Sequence, residues 1–253
     1  MLLYGEPKVG KTTTAMTAPG KKLLIDFENS CYNIDGFEDA YEWDPKLPPP
    51  EDDGTWSFCY VPMTYQTLGD LQLIIDWLKG NNHPFQSVIL DSVSESQKAI
   101  KRNRSKGGSD MDWKVWGEIG TILGNFARDL RDIPTMRGSL VDYVIITAME
   151  DIVYKEELEY NNSTGKSKKI KVPVGKKPLL SGSAGKELPY LFDIIAYMYV
   201  SQVVNPETGE QMEGRAFITE KGHNVEAGSR RKKSTGVFAE LTIPSLIDLH
   251  YSK

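Results

Sequence analysis

Cysteine is almost missing: Cys31 and Cys59 are the only two in 253 residues. Neither falls in a metal-binding spacing, and one distant pair is no disulfide framework, so a reducing cytoplasm is the expected compartment. No run of 18 apolar residues occurs, which excludes an ordinary membrane-spanning helix. The first residues lack the basic, apolar, small-residue order of a secretory signal. Positive charge is not in surplus: 30 Lys and Arg face 35 Asp and Glu, a net charge of −5. That excludes a wholly basic nucleic-acid binder. No internal repeat and no clean linker divide the chain, so residues 1–253 are expected to form one domain.

What is present suits one larger α/β domain. Hydrophobic residues make up 40%, enough for an ordinary core. Short apolar runs at 2–4, 21–28, 58–62, 87–91 and 141–149 predict buried strands. Between them, Leu68, Leu71, Ile75 and Leu78 share a helical face, as do Trp116, Ile119, Leu123, Phe126, Leu130 and Ile133. The alternation predicts a mainly parallel sheet flanked by helices. Residues 151–174 alternate around a Gly-containing turn and predict a hairpin, and 192–200 and 214–220 predict further strands in a β-rich tail. Charge is unevenly spread: 44–54 is acidic and Pro-rich, whereas 101–106 and 165–177 are basic.

The stretch "GEPKVGKT" fits G-x-x-x-x-G-K-[ST] at Gly5, Glu6, Pro7, Lys8, Val9, Gly10, Lys11 and Thr12, with Thr13 following. Glycines let backbone N–H groups turn inward around phosphate oxygens, and a helix predicted from Gly10–Lys11 to about Thr17 aims its positive end at the same anion. Lys11 would reach the β- and γ-phosphates of ATP, and the Thr12 hydroxyl would bind Mg²⁺. A strand before and a helix after supply the context that separates this motif from a chance glycine turn. Asp91 closes the apolar strand "SVILD", where open α/β sheets place ligand groups, and is expected to hold Mg²⁺ through water. "LLIDFENS" offers Asp26 and Glu28 as carboxylates that could align an attacking water.

"GEPKVGKTT", "LLIDFEN" and "VILDSVSE", then a long helix and "VIITAMED", occur in an order that resembles the RecA-like ATPase core. The chain looks closest to compact phage ATPases of the Sak type, which are single-strand annealing proteins, and the resemblance runs from Leu2 to about Asp248. It implies that Glu28 is the catalytic carboxylate, acting with Lys11. It implies a γ-phosphate sensor at the end of 141–149, where Met149 departs from the usual polar residue and leaves Thr147 and Glu150 as candidates. It also implies two DNA-holding loops, at 101–114 and 154–183, with Lys101, Arg102, Arg104, Lys106, Lys166, Lys168, Lys169, Lys171, Lys176 and Lys177 as phosphate contacts. Trp113 is a candidate for base stacking and Trp116 for the core. A basic stretch at 223–236 resembles one that supplies an arginine finger to a neighbouring subunit, which points to Arg230, although Gly228 stands where a lysine is common.

The expected function is therefore ATP hydrolysis on single-stranded DNA during phage-type homologous recombination or annealing. The expected partners are the DNA, further copies in a ring or short filament, and a single-strand-binding protein, in the host cytoplasm if the protein is phage-encoded. With no RecA-type helix and strand before Leu2, a RecA-type filament is not expected. Two other readings remain open: a nucleotide-dependent loader or clamp with little turnover, and a small-molecule kinase with "KRNR" in its lid.

Overall fold

Leu2, Leu3 and Tyr4 are fully buried, and with Gly5 they form β1 (Leu2–Gly5) at the centre of the sheet. The computed structural model describes residues 1–105, 113–161, 166–204, 209 and 211–251. After β1 come α1 (Lys11–Ala15), β2 (Lys22–Asp26), β3 (Tyr41–Glu42), β4 (Cys59–Pro62), α2 (Asp70–Gly80), β5 (Ser87–Asp91), α3 (Val93–Arg104) and α4 (Trp113–Asp132). The second half holds β6 (Tyr143–Asn161), β7 (Lys166–Pro178), α5 (Ala184–Glu187), β8 (Ile194–Val204), β9 (Gln211–Ile218), β10 (Gly228–Ser229), β11 (Val237–Ala239) and α6 (Ile243–Tyr251).

The strand order is β11-β9-β8-β1-β6-β5-β2-β4-β3, and the run from β8 to β3 is parallel. The expected mixed α/β fold with a mainly parallel sheet is what forms. Strands covered on both faces read as continuous apolar runs, as "LLI" and "VIL" do. One face packs on Ile74, Ile75 and Leu78 of α2 and on Ile119, Leu123 and Leu130 of α4. The other packs on Val9, Ala15 and Ala18 around α1 and on Ile243 of α6. The α4 stripe falls as its spacing predicts, with Trp116 only partly buried against the core.

Two elements differ from expectation. Residues 141–149 and 151–161 are not strand followed by hairpin: β6 is one 19-residue strand that leaves the sheet and continues as the first arm of the hairpin. Lys101, Arg102 and Arg104 sit on the last turn of α3, not in a loop. Ser92 caps that helix by accepting from Glu95 N–H at 3.3 Å, and basic residues favour the negative end of a helix dipole. Lys106, and the side chains of Trp113 and Lys166, lie outside the described residues.

Gly5 shows why the strand ends as it does. A Cβ there would stand 2.0 Å from the Met198 carbonyl oxygen of β8, so only glycine lets the two strands pair at this level. The chain then turns away from the sheet into the loop before α1.

Candidate functional site

The loop from Gly5 to Gly10 rises from the C-terminal end of β1. Val9 is buried beneath it in the α1-side core and pins it to the sheet. Lys8 and Gly10 take φ values of 62° and 89°, which curl the backbone into a cradle. Lys11 folds back over that cradle and donates to Glu6 O at 2.8 Å and Gly5 O at 3.2 Å. Burial holds its ammonium below the usual lysine range, while the charges of Glu28, Asp91 and Glu150 pull it back up.

Parallel pairing brings Asp26 of β2 level with Asp91 of β5, so both carboxylates emerge at the same end of the sheet as the loop. Their roles divide. Asp26 is fully buried and accepts from the N–H groups of Glu28, Ser30 and Cys31 at 3.0, 3.2 and 3.0 Å. It organises the turn after β2 and is spent on it. Asp91 is a hub: the hydroxyls of Thr12 at 2.8 Å and Ser30 at 2.7 Å donate to Oδ2, and Thr147 donates to Oδ1. The Asp91–Ser92 peptide bond is cis.

Glu28 is the carboxylate left beside Lys11 and Asp91. Its Oε1 is buried and has no hydrogen-bond partner among the described residues. Burial first, then the charge of Asp91, push its pKa above the usual glutamate range, and Ser92 and Lys11 oppose that rise. An unpartnered buried carboxylate oxygen beside a phosphate loop is chemically a place for a water or a proton. The donor set of Thr12 and Asp91 fits Mg²⁺, which takes oxygen ligands and keeps several waters.

The sensor candidates separate. Thr147 is fully buried in β6, between β1 and β5, and touches Asp91. Glu150 instead joins Lys176, whose ammonium lies 3.2 Å from Glu150, 2.9 Å from Glu6 and 2.6 Å from Tyr197 Oη. Lys176 is therefore committed at the hairpin base, tying β7 to the phosphate loop, and is not held out toward solvent.

The remaining basic residues are scattered. Lys101 stands over the Trp116 ring at 4.8 Å and Arg102 over Tyr65 at 3.9 Å. Arg104 is exposed on α3. Lys169 pairs with Glu156 at 3.0 Å, and Lys177 stands 3.6 Å from Asp151. Arg230 pairs with Asp193 at 2.9 Å and donates to Tyr190 O. Asp193 precedes the start of β8, whereas Gly5 is level with Met198. Arg230 thus lies at the end of the sheet away from its own phosphate loop.

Sequence reading did not single out Ser30, Ser92 or Arg215, which all stand at this site. Ser30 and Ser92 are adjacent to motif residues and were within reach of a closer reading. Arg215 is 205 positions from Gly10 and has no local signature.

A family model described as AAA domain matches residues 1–231. No curated protein matches the chain. No helix among the described residues is long and apolar enough to cross a membrane. The chain belongs to this AAA-domain family, of the P-loop nucleotide-binding ATPase type.

Proposed function

We propose that this AAA-domain protein hydrolyses ATP with Mg²⁺ and couples turnover to single-stranded DNA, in recombination or annealing of the phage type that the sequence resembles. The observation behind the first half is that Lys11, Thr12, Asp91 and Glu28, with its unpartnered Oε1, stand close together. Loop N–H groups from Gly5 to Thr13 would hold the phosphates. Lys11 would leave its loop carbonyls for the β- and γ-phosphate oxygens. Thr12 and Asp91 would hold Mg²⁺, the latter through water, and the ion supplies charge neutralisation on the transferring phosphoryl group. Glu28 would orient the attacking water and accept its proton at Oε1. Ser30 and Thr147 would keep the Asp91 carboxylate aimed.

Support for the DNA half comes from the hairpin. Beyond Met149, β6 runs 12 residues out of the sheet (150–161), roughly 40 Å at strand rise. Its register sorts the side chains. Ile152, Tyr154, Glu156, Leu158 and Tyr160 share a face with Lys169 and Lys171. Tyr154, Leu158 and Tyr160 are more than half exposed. Among the described side chains of 155–171, the opposite face holds Lys155, Glu157, Glu159 and Lys168, whose charges balance. Exposed tyrosines flanked by lysines suit single strands, since rings stack bases and ammonium groups meet phosphates. Self-assembly belongs to the same proposal. A basic residue at the far end of the sheet, Arg230, would reach a neighbour's nucleotide in a head-to-tail arrangement after leaving Asp193.

Changing Lys169 and Lys171 to Ala should flatten the plot of log affinity against log salt by up to about 1.4, at about 0.7 per phosphate on a single strand. Lys168→Ala, on the balanced face, should change it less. Tyr154→Ala with Tyr160→Ala should weaken binding with little change of slope, by roughly 1–3 kcal/mol per lost stack. Single-strand affinity at several salt concentrations checks all three. Equal slopes in wild type and the double lysine variant would reduce the hairpin to a solvated surface.

A further inference from the structure

Among the described residues, Arg215 is the basic side chain that β8 and β9, the antiparallel wing of the sheet, bring against the phosphate loop, and none of the motifs accounts for it. It pairs with Val200 across β8–β9, two residues beyond the Met198 level that Gly5 occupies. Two residues at strand rise carry it roughly 7 Å beyond that level, on the side from which the loop leaves β1. Side chains two apart share a face, so Arg215 lies on the face of Met198 and Phe217, which is the side covered by α1. The guanidinium is tight against the loop. A Cβ built on Gly10 would meet Arg215 Nε at 2.7 Å and Cζ and Nη2 at 3.1 Å. Gly10 is therefore required twice, by its φ of 89° and by the arginine beside it.

The main chain holds Arg215 in place. Its N–H donates to the Glu240 carboxylate, and its carbonyl accepts from Glu240 N–H at 2.8 Å. Glu240 thus closes on the backbone and anchors β9 at this residue. The guanidinium itself makes no hydrogen bond or ion pair among the described residues, although the side chain is half-buried. A half-buried guanidinium without a counter-charge is costly unless an anion completes it. Its planar fork matches phosphate oxygens.

We propose that Arg215 is a nucleotide-binding residue supplied by the same chain, pairing with the phosphate chain of ATP from the α1 side of the loop. This rests on the nucleotide-binding reading above and extends it: the site is built by the phosphate loop and by the antiparallel wing together. β9 then belongs to the nucleotide site, and the residue acts within its own subunit, unlike a finger from a neighbour.

Affinities for MgATP and MgADP are to be measured by equilibrium dialysis for wild type, Arg215→Met and Arg215→Lys, with thermal unfolding as a check on the fold. Methionine keeps the apolar stem and removes the charge. Its affinity for both nucleotides should fall roughly ten-fold or more, the effect of one lost charge-assisted contact. Lysine restores the charge but not the planar fork, so it should recover only part of that loss. Methionine binding as tightly as wild type would overturn the proposal. So would a folded lysine variant as weak as methionine, because the restored charge would then contribute nothing. A wild-type chain that binds neither nucleotide sinks the nucleotide reading itself, whereas normal wild-type binding with no effect at Arg215 sinks this inference alone.

Discussion

Glu28→Gln should bind ATP as wild type does and turn it over at least about 10²-fold more slowly, the usual loss for a missing general base. Glutamine keeps the shape and part of the hydrogen bonding with Ser92 but cannot accept a proton. The pH profile sharpens the expectation. Burial and the neighbouring Asp91 raise the Glu28 pKa, so the active, ionised form is lost on acidification earlier than for an ordinary glutamate. The acidic limb of the wild-type rate profile should therefore lie above the ordinary glutamate pKa and should vanish in the glutamine variant. Stability should move the other way. A carboxyl group whose pKa is raised by folding contributes stability below its unfolded pKa, and loses that contribution as pH rises through the folded value. Above its raised pKa wild-type Glu28 is ionised against its environment. The glutamine variant should then melt at or above the wild-type temperature on that alkaline side, with the gap closing as pH falls. Unchanged turnover in the glutamine variant would return Glu28 to the status of a loop carboxylate.

Lys11→Ala should remove nearly all productive ATP binding. The side chain is partly buried over the loop with two carbonyls as its hydrogen-bond partners among the described residues, so it is preorganised for an anion that replaces them. Charge-assisted contacts of this kind are about twice as strong as neutral ones. The loss also acts on its neighbours, because Lys11 is one of the groups that lower the Glu28 pKa. Any residual activity should therefore have an acidic limb shifted to still higher pH. Asp91→Asn should behave differently. An amide at the hub offers donors where the hydroxyls of Thr12, Ser30 and Thr147 already donate, so its effect should appear as an altered Mg²⁺ requirement. Nucleotide titrations and Mg²⁺ titrations of the two variants distinguish the roles. An Ala variant at position 11 that hydrolyses ATP at the wild-type rate would refute the phosphate-loop reading.

Much of this was legible in the sequence because it is local. "YGEPKVGKTT" sets strand, turn and helix within a dozen residues, and "SVILDS" sets strand end and cap. Asp26 and Glu28 could not be told apart by spacing. The choice depends on three N–H groups that the following turn presents to Asp26. The hairpin is visible in its alternation and its second arm is a basic run, but the run alone does not show how the charge is shared between faces. Register places the acidic residues of β6 among the lysines of β7, and only then does one face stand out. Lys101 to Arg104 were expected in a loop because basic runs carry no helical stripe of their own. The helix is set by Ser92 and by the buried Val93, Gln97 and Ile100. β10, β11 and α6 went unread: two are strands of two or three residues that exist only by pairing. Arg215 was beyond reach, since only the fold brings β9 to Gly10.

The central claim is an ATP-hydrolysing site whose turnover answers to single-stranded DNA on the hairpin. The most direct measurement is steady-state ATP hydrolysis by the full chain with Mg²⁺, with and without single-stranded DNA, for wild type and for Lys169→Ala with Lys171→Ala. The account predicts hydrolysis by wild type, a faster rate with the strand present, and a double variant that keeps the basal rate but loses most of the stimulation. A wild-type rate that the strand leaves unchanged would contradict the coupling and favour a loader or clamp, and the absence of hydrolysis under both conditions would contradict the site itself.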